Sequence, residues 1–563
     1  MARKGKTFLR VLRAYNIEEK VVSIVLVTVV IVLLVQSALD IFKRPELFAG
    51  EGGYYTEGLL DERPVILNPV YTDLAEANRE ISGLIFSGLT RYDPTLQAFV
   101  EDIADLSISE DGKTYTFTIK DGVMWHDFEM LTAEDVYFTY HDVIQSKDFQ
   151  NPVLRANFEG VDVKLLDNNT IEFDLSKSNA FFITNLNVGI LPQHLLGGIP
   201  VASLPNAGFN LQPVGTGPYK VDSPIEVLPD GRQRSLLTLN ENYYGEKPKI
   251  KNVRFHVYPD EESMLKEIST LNVISKVSRD IYSSIQDSDR FSFLNYELPQ
   301  YTAVFMNMDN VILKKDKVRI ALQKAIDKEA LLKVLSYKTA VDTPLMSLDQ
   351  SEWRNKPNPE EAKGALYDSG YNMNVSDESD PYRKLSDGSN LKFILLVRQL
   401  DENPAAAVEI AKAVDFLVDS WKQVGIQVDP QFESLETFNQ RIKDRNYDML
   451  LTGESLGYNF DTYAYWHSSQ AGSNGLNLSN YKSFSADSLI EKVRGTFDND
   501  EKEKYLEDLA NTIATDEPAI FLYRPSYVFA TDNKVKGISL LNLAFSADRF
   551  SEIATWCILC ESI

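Results

Sequence analysis

From Val21 to Leu39 the chain runs VVSIVLVTVVIVLLVQSAL without a charge. At about 1.5 Å per helical residue, that length matches a hydrocarbon core of about 30 Å, and it predicts one membrane-spanning helix. After it the pattern breaks into short alternations. In TYTFTIK the apolar Tyr115, Phe117 and Ile119 alternate with polar residues, and together with LSIS and the turn Glu110–Lys113 they predict a β-hairpin. VDVKLLDNNTIEFDL predicts a second hairpin that turns at Asp167–Asn169. Between the two, Thr132 precedes Glu134 and Asp135 as an N-cap signature for the helix VYFTYHDVIQ. ANREISGLIFSGLTRYD spaces Ile81, Leu84, Ile85 and Leu89 as one face of a helix.

The second half alternates strand and helix. KNVRFHVYP leads into a helix that starts near Asp260, and KFILLVRQ is followed by the helix AAAVEIAKAVDFLVDSWKQVG, then IQVDPQFE, a helix to Asp444 and YDMLLTG. Such alternation predicts βαβ layers and an α/β fold of two or three domains. The Gly- and acid-rich stretch ELFAGEGGYYTEGLLDER reads as a spacer, with Pro64–Leu67 as the first strand after it.

Charge assigns the sides of the membrane. Residues 1–20 carry Arg3, Lys4, Lys6, Arg10, Arg13 and Lys20 against Glu18 and Glu19, so the positive-inside rule keeps the N-terminus cytoplasmic and places the rest outside. The apolar run exceeds a usual signal-peptide core, and Val35-Gln36-Ser37 only poorly approximates a cleavage site, which favours an uncleaved anchor. The whole chain of 563 residues has a formal charge of -25, and nucleic acid would be repelled by so acidic a body.

Enzyme motifs are missing. There is no G-x-S-x-G elbow, no H-E-x-x-H, no G-x-x-x-x-G-K-[ST] and no G-x-G-x-x-G opening a helix after a strand. Gly215-Thr216-Gly217-Pro218 resembles a phosphate loop only superficially, because Pro218 lacks a backbone N–H where a cradle needs one. The five histidines, His126, His141, His194, His256 and His467, are far apart, and the two cysteines, Cys557 and Cys560, lie in the last seven residues. Neither set predicts a metal site, and no cofactor is expected; the cysteines read as a small tail disulfide or two idle thiols.

Several ordered segments resemble the family 5 extracellular solute-binding proteins, the oligopeptide-, dipeptide- and nickel-binding components of ABC importers. They are Leu67-Asn68-Pro69; Ile85-Phe86-Ser87-Gly88-Leu89 ahead of Tyr92-Asp93; Asp111 to Phe117 leading into Asp121 to Asp127; and Leu131 to Val136. Gly215-Thr216-Gly217-Pro218-Tyr219, Leu239 to Tyr244, Val318 to Asp327, Val424 to Val428, Tyr447-Asp448 and Glu517 to Tyr523 follow in the family's order. The likeness runs from about Val65 to about Gly537.

The resemblance implies a class II periplasmic-binding-protein-like fold, two lobes around a cleft plus an extra subdomain, preceded here by the transmembrane helix. The expected parts are a basic segment 1–20, the anchor 21–39, a spacer 40–63, lobe one from 64–89, 204–300 and 523–563, the subdomain 90–203, and lobe two 302–522. It also implies a non-enzymatic protein that captures peptides or similar extended solutes and passes them to an ABC permease, acting as a monomer at the outer face of the cell membrane. The alternative is a diverged surface-anchored sensor of the same fold with another solute.

By position, GESLGYNFDTYAYWHSSQ resembles the cleft-lining segment of lobe two, and its candidates for ligand contact are Glu454, Tyr458, Asn459, Asp461 and Trp466. Trp125 is a further cleft or core aromatic. An aromatic there could stack on the solute, and a carboxylate could hold an ammonium. The chain departs from the family in three places. Gly457 stands where many peptide-binding members carry an Asp before the Tyr-Asn pair, Phe128 replaces the Gly of His-Asp-Gly, and Leu271 to Ile274 replace Gly-Glu-Val/Ile-Asp.

Overall fold

Strand Tyr54–Leu60 is buried along most of its length although its sequence, YYTEGLL, reads as half polar. It lies inside an eight-stranded sheet, which its position makes possible. The computed structural model describes residues 54–346, 348, 355–373, 380–400, 404–458, 461–473 and 475–560. The strands of this sheet run in the order Phe291–Glu297, Ser526–Asp532, Val273–Ile274, Tyr54–Leu60, Asn252–Tyr258, Gln233–Leu239 and Tyr219–Val221, with Glu226–Val227 also on Gln233–Leu239. Tyr54–Leu60 is parallel to both of its neighbours.

This corrects the expected start of the fold. The C-terminal part of the spacer is a sheet strand, and Pro64–Leu67 is not a strand. Polar groups outside any ladder take up its backbone instead: Val65 N–H donates to Gln233 Oε1 (2.9 Å), Ile66 N–H to Asn78 Oδ1 (2.8 Å) and Leu67 N–H to the Asn210 carbonyl (3.1 Å). Those acceptors satisfy N–H groups that a strand would pair with a neighbour. The basic segment and the apolar run 21–39 lie outside the described residues. Among the described residues no helix is long and apolar enough to cross a membrane.

A second, six-stranded sheet has the order Thr339–Ala340, Ala519–Arg524, Gln300–Met306, Met449–Ser455, Lys392–Arg398 and Gln427–Glu433. Lys392–Arg398 is parallel to both Gln427–Glu433 and Met449–Ser455, joined through helices Pro404–Gln423 and Leu435–Lys443, as the alternating pattern predicts. The chain passes between the two large sheets at Leu298-Pro299 and at Pro525. Each large sheet has its own apolar cores, with Leu322, Leu395 and Trp421 in one cluster on the six-stranded sheet and Leu237, Phe255 and Phe529 in one on the eight-stranded sheet.

The two predicted hairpins form a separate four-stranded antiparallel sheet, Ala104–Ile108, Thr114–Ile119, Thr170–Leu175 and Val161–Leu165. The helix predicted after Thr132 starts at Ala133, and the Asp135 carboxylate accepts the Thr132 N–H (3.0 Å). From Phe138 to Ile144 it widens to a π-helix.

The Gly-Thr-Gly-Pro turn packs against the end of helix Glu76–Ile85. A Cβ on Gly215 would meet the Ile85 carbonyl oxygen at 2.0 Å, and one on Gly217 would meet backbone atoms at 2.6 Å, so only glycine permits this approach. His126 clasps the turn, accepting the Gly215 N–H at Nδ1 (3.1 Å) and reaching the Gly217 carbonyl from Nε2 (3.1 Å). Burial pulls its pKa down to about 4, and the neutral ring is the form that accepts at one nitrogen and donates at the other. The turn is therefore structural, as its lack of a phosphate-cradle N–H implied.

Candidate functional site

Helix Glu76–Ile85 has two working faces. On one, Glu80 Oε2 meets Arg549 Nη1 at 2.6 Å, while Arg549 Nη2 donates to Glu57 Oε1 at 2.6 Å; all three side chains are within 1% of full burial. This ion group ties the first strand and this helix to the C-terminal segment Ser546–Thr555. The other face carries Arg79, Ser82, Gly83 and Phe86 to the wall of a cavity of about 1150 Å³.

The cavity is bounded from every side of the molecule. Helix Glu76–Ile85 and Tyr243-Tyr244 form one wall; Arg91, Asp102 and Lys120 come from around the four-stranded sheet; Ser455 to Tyr458 and Asp461 follow a strand of the six-stranded sheet; and Phe545, Asp548, Phe550 and Glu552 come from the C-terminal segment. Phenols and carboxylates are joined around it. Tyr244 donates to Asp102 Oδ1 (2.5 Å), Lys120 Nζ donates to the Asp102 carbonyl (2.7 Å), and Thr95 Oγ1 donates to Glu552 Oε1 (2.8 Å).

Of the residues singled out from the sequence, two reach this cavity. Tyr458 crosses from the six-stranded side and donates to Asp548 Oδ1 (2.5 Å), while its ring packs at about 5 Å among Tyr92, Phe99 and Phe545. Asp548 also accepts the N–H groups of Ala544 (2.8 Å) and Phe545 (2.7 Å), and burial nevertheless pushes its carboxyl up to about 6. Asp461 lines the cavity while its carboxylate pairs with Arg494 (3.0 Å) and accepts the Tyr463 N–H (3.1 Å); burial raises its pKa and Arg494 opposes that rise.

The others lie elsewhere. Glu454 sits inside the strand Met449–Ser455, buried against the Tyr301 hydroxyl that donates to it, and burial beside this uncharged partner pushes its carboxyl up to about 8. Trp466 is 1% exposed and packs against Phe305 (6.1 Å), Phe521 (5.6 Å) and Tyr481 (6.4 Å), in a core of the six-stranded sheet. Trp125 is equally buried, with the His194 ring 6.0 Å away in the core around the four-stranded sheet. None of the three lines the cavity: the strand ends at Ser455 and the short helix Tyr463–Trp466 turns its last residue inward. Asn459 lies outside the described residues.

Sequence reasoning missed Arg79, Ser82, Arg91, Lys120 and the segment Phe545–Thr555. Arg79 and Ser82 sat in a stretch read only for its apolar spacing. The C-terminal segment carries no signal of its own, because its place at the cavity comes from contacts with residues more than four hundred positions away, such as Tyr92 with Asn542.

Gly457 has a physical reason here. Its φ is +55°, a left-handed conformation that disfavours a side chain, and a Cβ would meet the Phe545 ring at 2.5 Å. An aspartate cannot replace it unless Phe545 moves. Cys557 and Cys560 are joined as a disulfide directly after the buried Trp556, and among the described residues no group of three or more His, Cys, Asp or Glu is placed to hold a metal ion.

Known proteins were compared with this chain. The profile of the bacterial extracellular solute-binding proteins, family 5 Middle, matches residues 88–476. The oligopeptide-binding protein AppA of Bacillus subtilis (strain 168) is 27% identical over 511 residues, 86% of this chain and 89% of the relative. The structure of AppA in complex with a nonapeptide superposes with a TM-score of 0.70 and 26% identity, covering 91% of this chain and 99% of that one. The dipeptide-binding protein of Escherichia coli (strain K12) is 26% identical over 468 residues, 76% of this chain and 81% of the relative. NikZ from Campylobacter jejuni, solved in complex with Ni(L-His), superposes with a TM-score of 0.70 and 25% identity over 90% of this chain and 99% of that one. With a profile covering well over half of its length, the chain belongs to the bacterial extracellular solute-binding proteins of family 5.

Proposed function

We propose that this protein captures peptides in the cavity between its two large sheets and delivers them to an ABC permease, as a solute-binding protein rather than an enzyme. The observation that carries the reading is the cavity itself. At about 1150 Å³ it exceeds the usual range of about 300–1,000 Å³ for small-molecule pockets, and its walls mix aromatic rings with hydrogen-bonding groups from all parts of the fold. An extended peptide needs that combination of length, polar partners for its backbone and room for varied side chains. The relatives named for oligopeptide and dipeptide binding support the same choice.

In this reading the parts around the eight-stranded sheet form lobe one, residues 302–522 form lobe two, and 90–203 form the added subdomain. The crossings at Leu298-Pro299 and Pro525 are the hinge about which the lobes close on the solute. Tyr458 and Asp461 are the ligand-facing residues of lobe two. The body works outside the cell as a monomer, tethered by the helix 21–39, and its charge of -25 leaves nucleic acid without a role.

The test is thermal unfolding of the full-length protein with mixed short peptides, with sugars and with Ni²⁺. A ligand at 100 times its Kd stabilises by about 2.7 kcal/mol, so peptide binding raises the melting temperature by several degrees. A shift with sugars or Ni²⁺ and none with peptides overturns the assignment.

A further inference from the structure

Three carboxylates on the cavity wall have no cation beside them. Glu101 ends the small hairpin in which Thr90–Asp93 pairs with Ala98–Glu101, Glu246 follows Tyr243-Tyr244, and Glu552 comes from the C-terminal segment. Glu101 accepts one backbone N–H, from Leu106 (2.8 Å), and Glu552 accepts the Thr95 hydroxyl (2.8 Å). Glu246 has no hydrogen bond among the described residues, and none of the three forms an ion pair there.

The cations of the same wall are matched. Arg91 pairs with Asp93 (3.9 Å), and Lys120 pairs with Asp105 (3.8 Å) and donates to the Asp102 carbonyl (2.7 Å). Arg79 is engaged over the Phe545 ring (3.7 Å), where its charge lowers the Asp548 carboxyl against the pull of burial. The wall therefore carries negative charge in excess. A cleft lined by one sign of charge, with low-dielectric walls, focuses its field into the opening and concentrates solutes of the opposite sign.

Two further features of the wall suit a cation. The rings of Tyr243 and Tyr244, with centroids 4.7 Å apart, line it beside Glu246, and aromatic faces attract ammonium and guanidinium groups. On helix Glu76–Ile85, Ser82 is 2% exposed, yet its hydroxyl has no hydrogen-bond partner among the described residues. A Cβ on Gly83 beside it would meet nothing within 4 Å, so open space adjoins the hydroxyl. A buried hydroxyl oxygen left without a partner is costly, and a ligand N–H completes it.

We propose that the cavity selects cationic peptides, ones whose Lys or Arg side chains reach Glu101, Glu246 and Glu552, with the Ser82 hydroxyl accepting a ligand N–H. The inference rests on the peptide reading above. It makes the three glutamates the specificity-determining residues. Glu101 and Glu246 are solvent-exposed, so no one of the three makes a strong ion pair, and the selectivity is the sum of modest attractions.

The test is titration calorimetry on the full-length protein with otherwise identical short peptides, carrying Arg or the neutral, equally shaped citrulline at each position in turn, and likewise Lys or norleucine. Both members of a pair have the same termini, so the comparison isolates the side-chain charge. We expect at least one cationic form to bind about three- to tenfold more tightly than its neutral partner at low salt. The gap should close toward about 1 M salt, where the Debye length is about 3 Å. The triple variant Glu101→Gln, Glu246→Gln, Glu552→Gln should narrow the gap to within about twofold by weakening the cationic forms.

Equal affinities within every pair, or tighter binding of the neutral form, overturn the selectivity and leave the peptide reading intact. A gap that persists undiminished at high salt overturns its electrostatic origin. An undiminished gap in the triple variant overturns the assignment to the three glutamates. Should that variant fail to fold, Glu246→Gln, which breaks no hydrogen bond, decides in its place: a narrower gap supports the assignment and an unchanged one overturns it. Failure of every peptide to bind overturns the peptide reading and the selectivity with it.

Discussion

Two buried carboxylate sites in this molecule differ in the partner that meets them. Around the eight-stranded sheet, Glu57 and Glu80 share one guanidinium, that of Arg549, and all three are cut off from solvent. In the six-stranded sheet Glu454 is almost as deeply buried but faces only the Tyr301 hydroxyl, and its carboxyl is pushed up to about 8, so it keeps its proton at neutral pH. One site sets its carboxylates against a fixed cation, although burial still pushes the Glu80 carboxyl up to about 7. The other removes the charge by protonation. Burial of an ion costs several kcal/mol, and either a well-placed counter-ion or neutralisation offsets it. The choice follows what each site joins: Arg549 ties together pieces from the two ends of the described chain, where the geometry is demanding, whereas Tyr301 and Glu454 are cross-strand partners already aligned by the sheet.

The largest effect expected from breaking this contrast is on the charged side. Arg549→Ala leaves two buried carboxylates without a cation and should destabilise by about 3–5 kcal/mol, read by chemical denaturation. Because Arg549 adjoins Asp548, which lines the cavity, the same change should also weaken ligand capture. A loss below about 1 kcal/mol would mean that the ion group is not what holds the C-terminal segment.

Trp466→Ala comes next and separates packing from binding in the same half of the molecule as Glu454. It should cost about 3–5 kcal/mol as a large cavity in the core, while ligand affinity of the folded fraction stays within about threefold of the unaltered protein. A large loss of affinity with little loss of stability would return Trp466 to the ligand site.

The smallest effect is expected at Glu454. Because its pKa in the folded state is raised from 4.5 to about 8, the native protein holds a proton that the unfolded chain has released, so this group's contribution to stability falls as pH rises from about 4.5 to about 8 and is level above that. Asp548, raised to about 6, acts in the same sense over a narrower range. The melting temperature should therefore decline between about pH 6.5 and pH 8, above the range in which His126, pulled down to about 4, acts in the opposite sense. Glu454→Gln, a neutral group for a neutral group, should change stability at pH 7 by no more than about 1 kcal/mol and make that decline shallower. An unchanged pH slope would show that Glu454 is charged in the folded protein.

Much of this architecture could be read along the chain. The hairpin strands at Ala104–Ile108 and Thr114–Ile119, the cap at Thr132 and the strand-helix alternation from Lys392 to Ser455 formed where local pattern placed them, since period-2 alternation and capping act within a few residues. Strand Tyr54–Leu60 was not legible. An interior strand with a buried Glu looks like a polar spacer until Arg549 stands beside it. The cavity wall was legible only in part. Tyr458 and Asp461 were found because their segment resembles, by position, the family's cleft-lining stretch, but the same segment holds Trp466 and Glu454, which the fold turned into the core.

By itself the sequence determined many of the element types, the α/β class, the family and the absence of known catalytic motifs, because those depend on local spacing and on ordered short motifs. Tertiary structure alone decided which polar side chains meet at the cavity. Arg79, Ser82, Tyr458 and Asp548 come from three distant stretches of chain, and their meeting depends on how the sheets pack and where the C-terminal segment returns. The burial and the partners of Glu57, Glu80 and Glu454 were decided at the same level, since each depends on neighbours that local pattern cannot name.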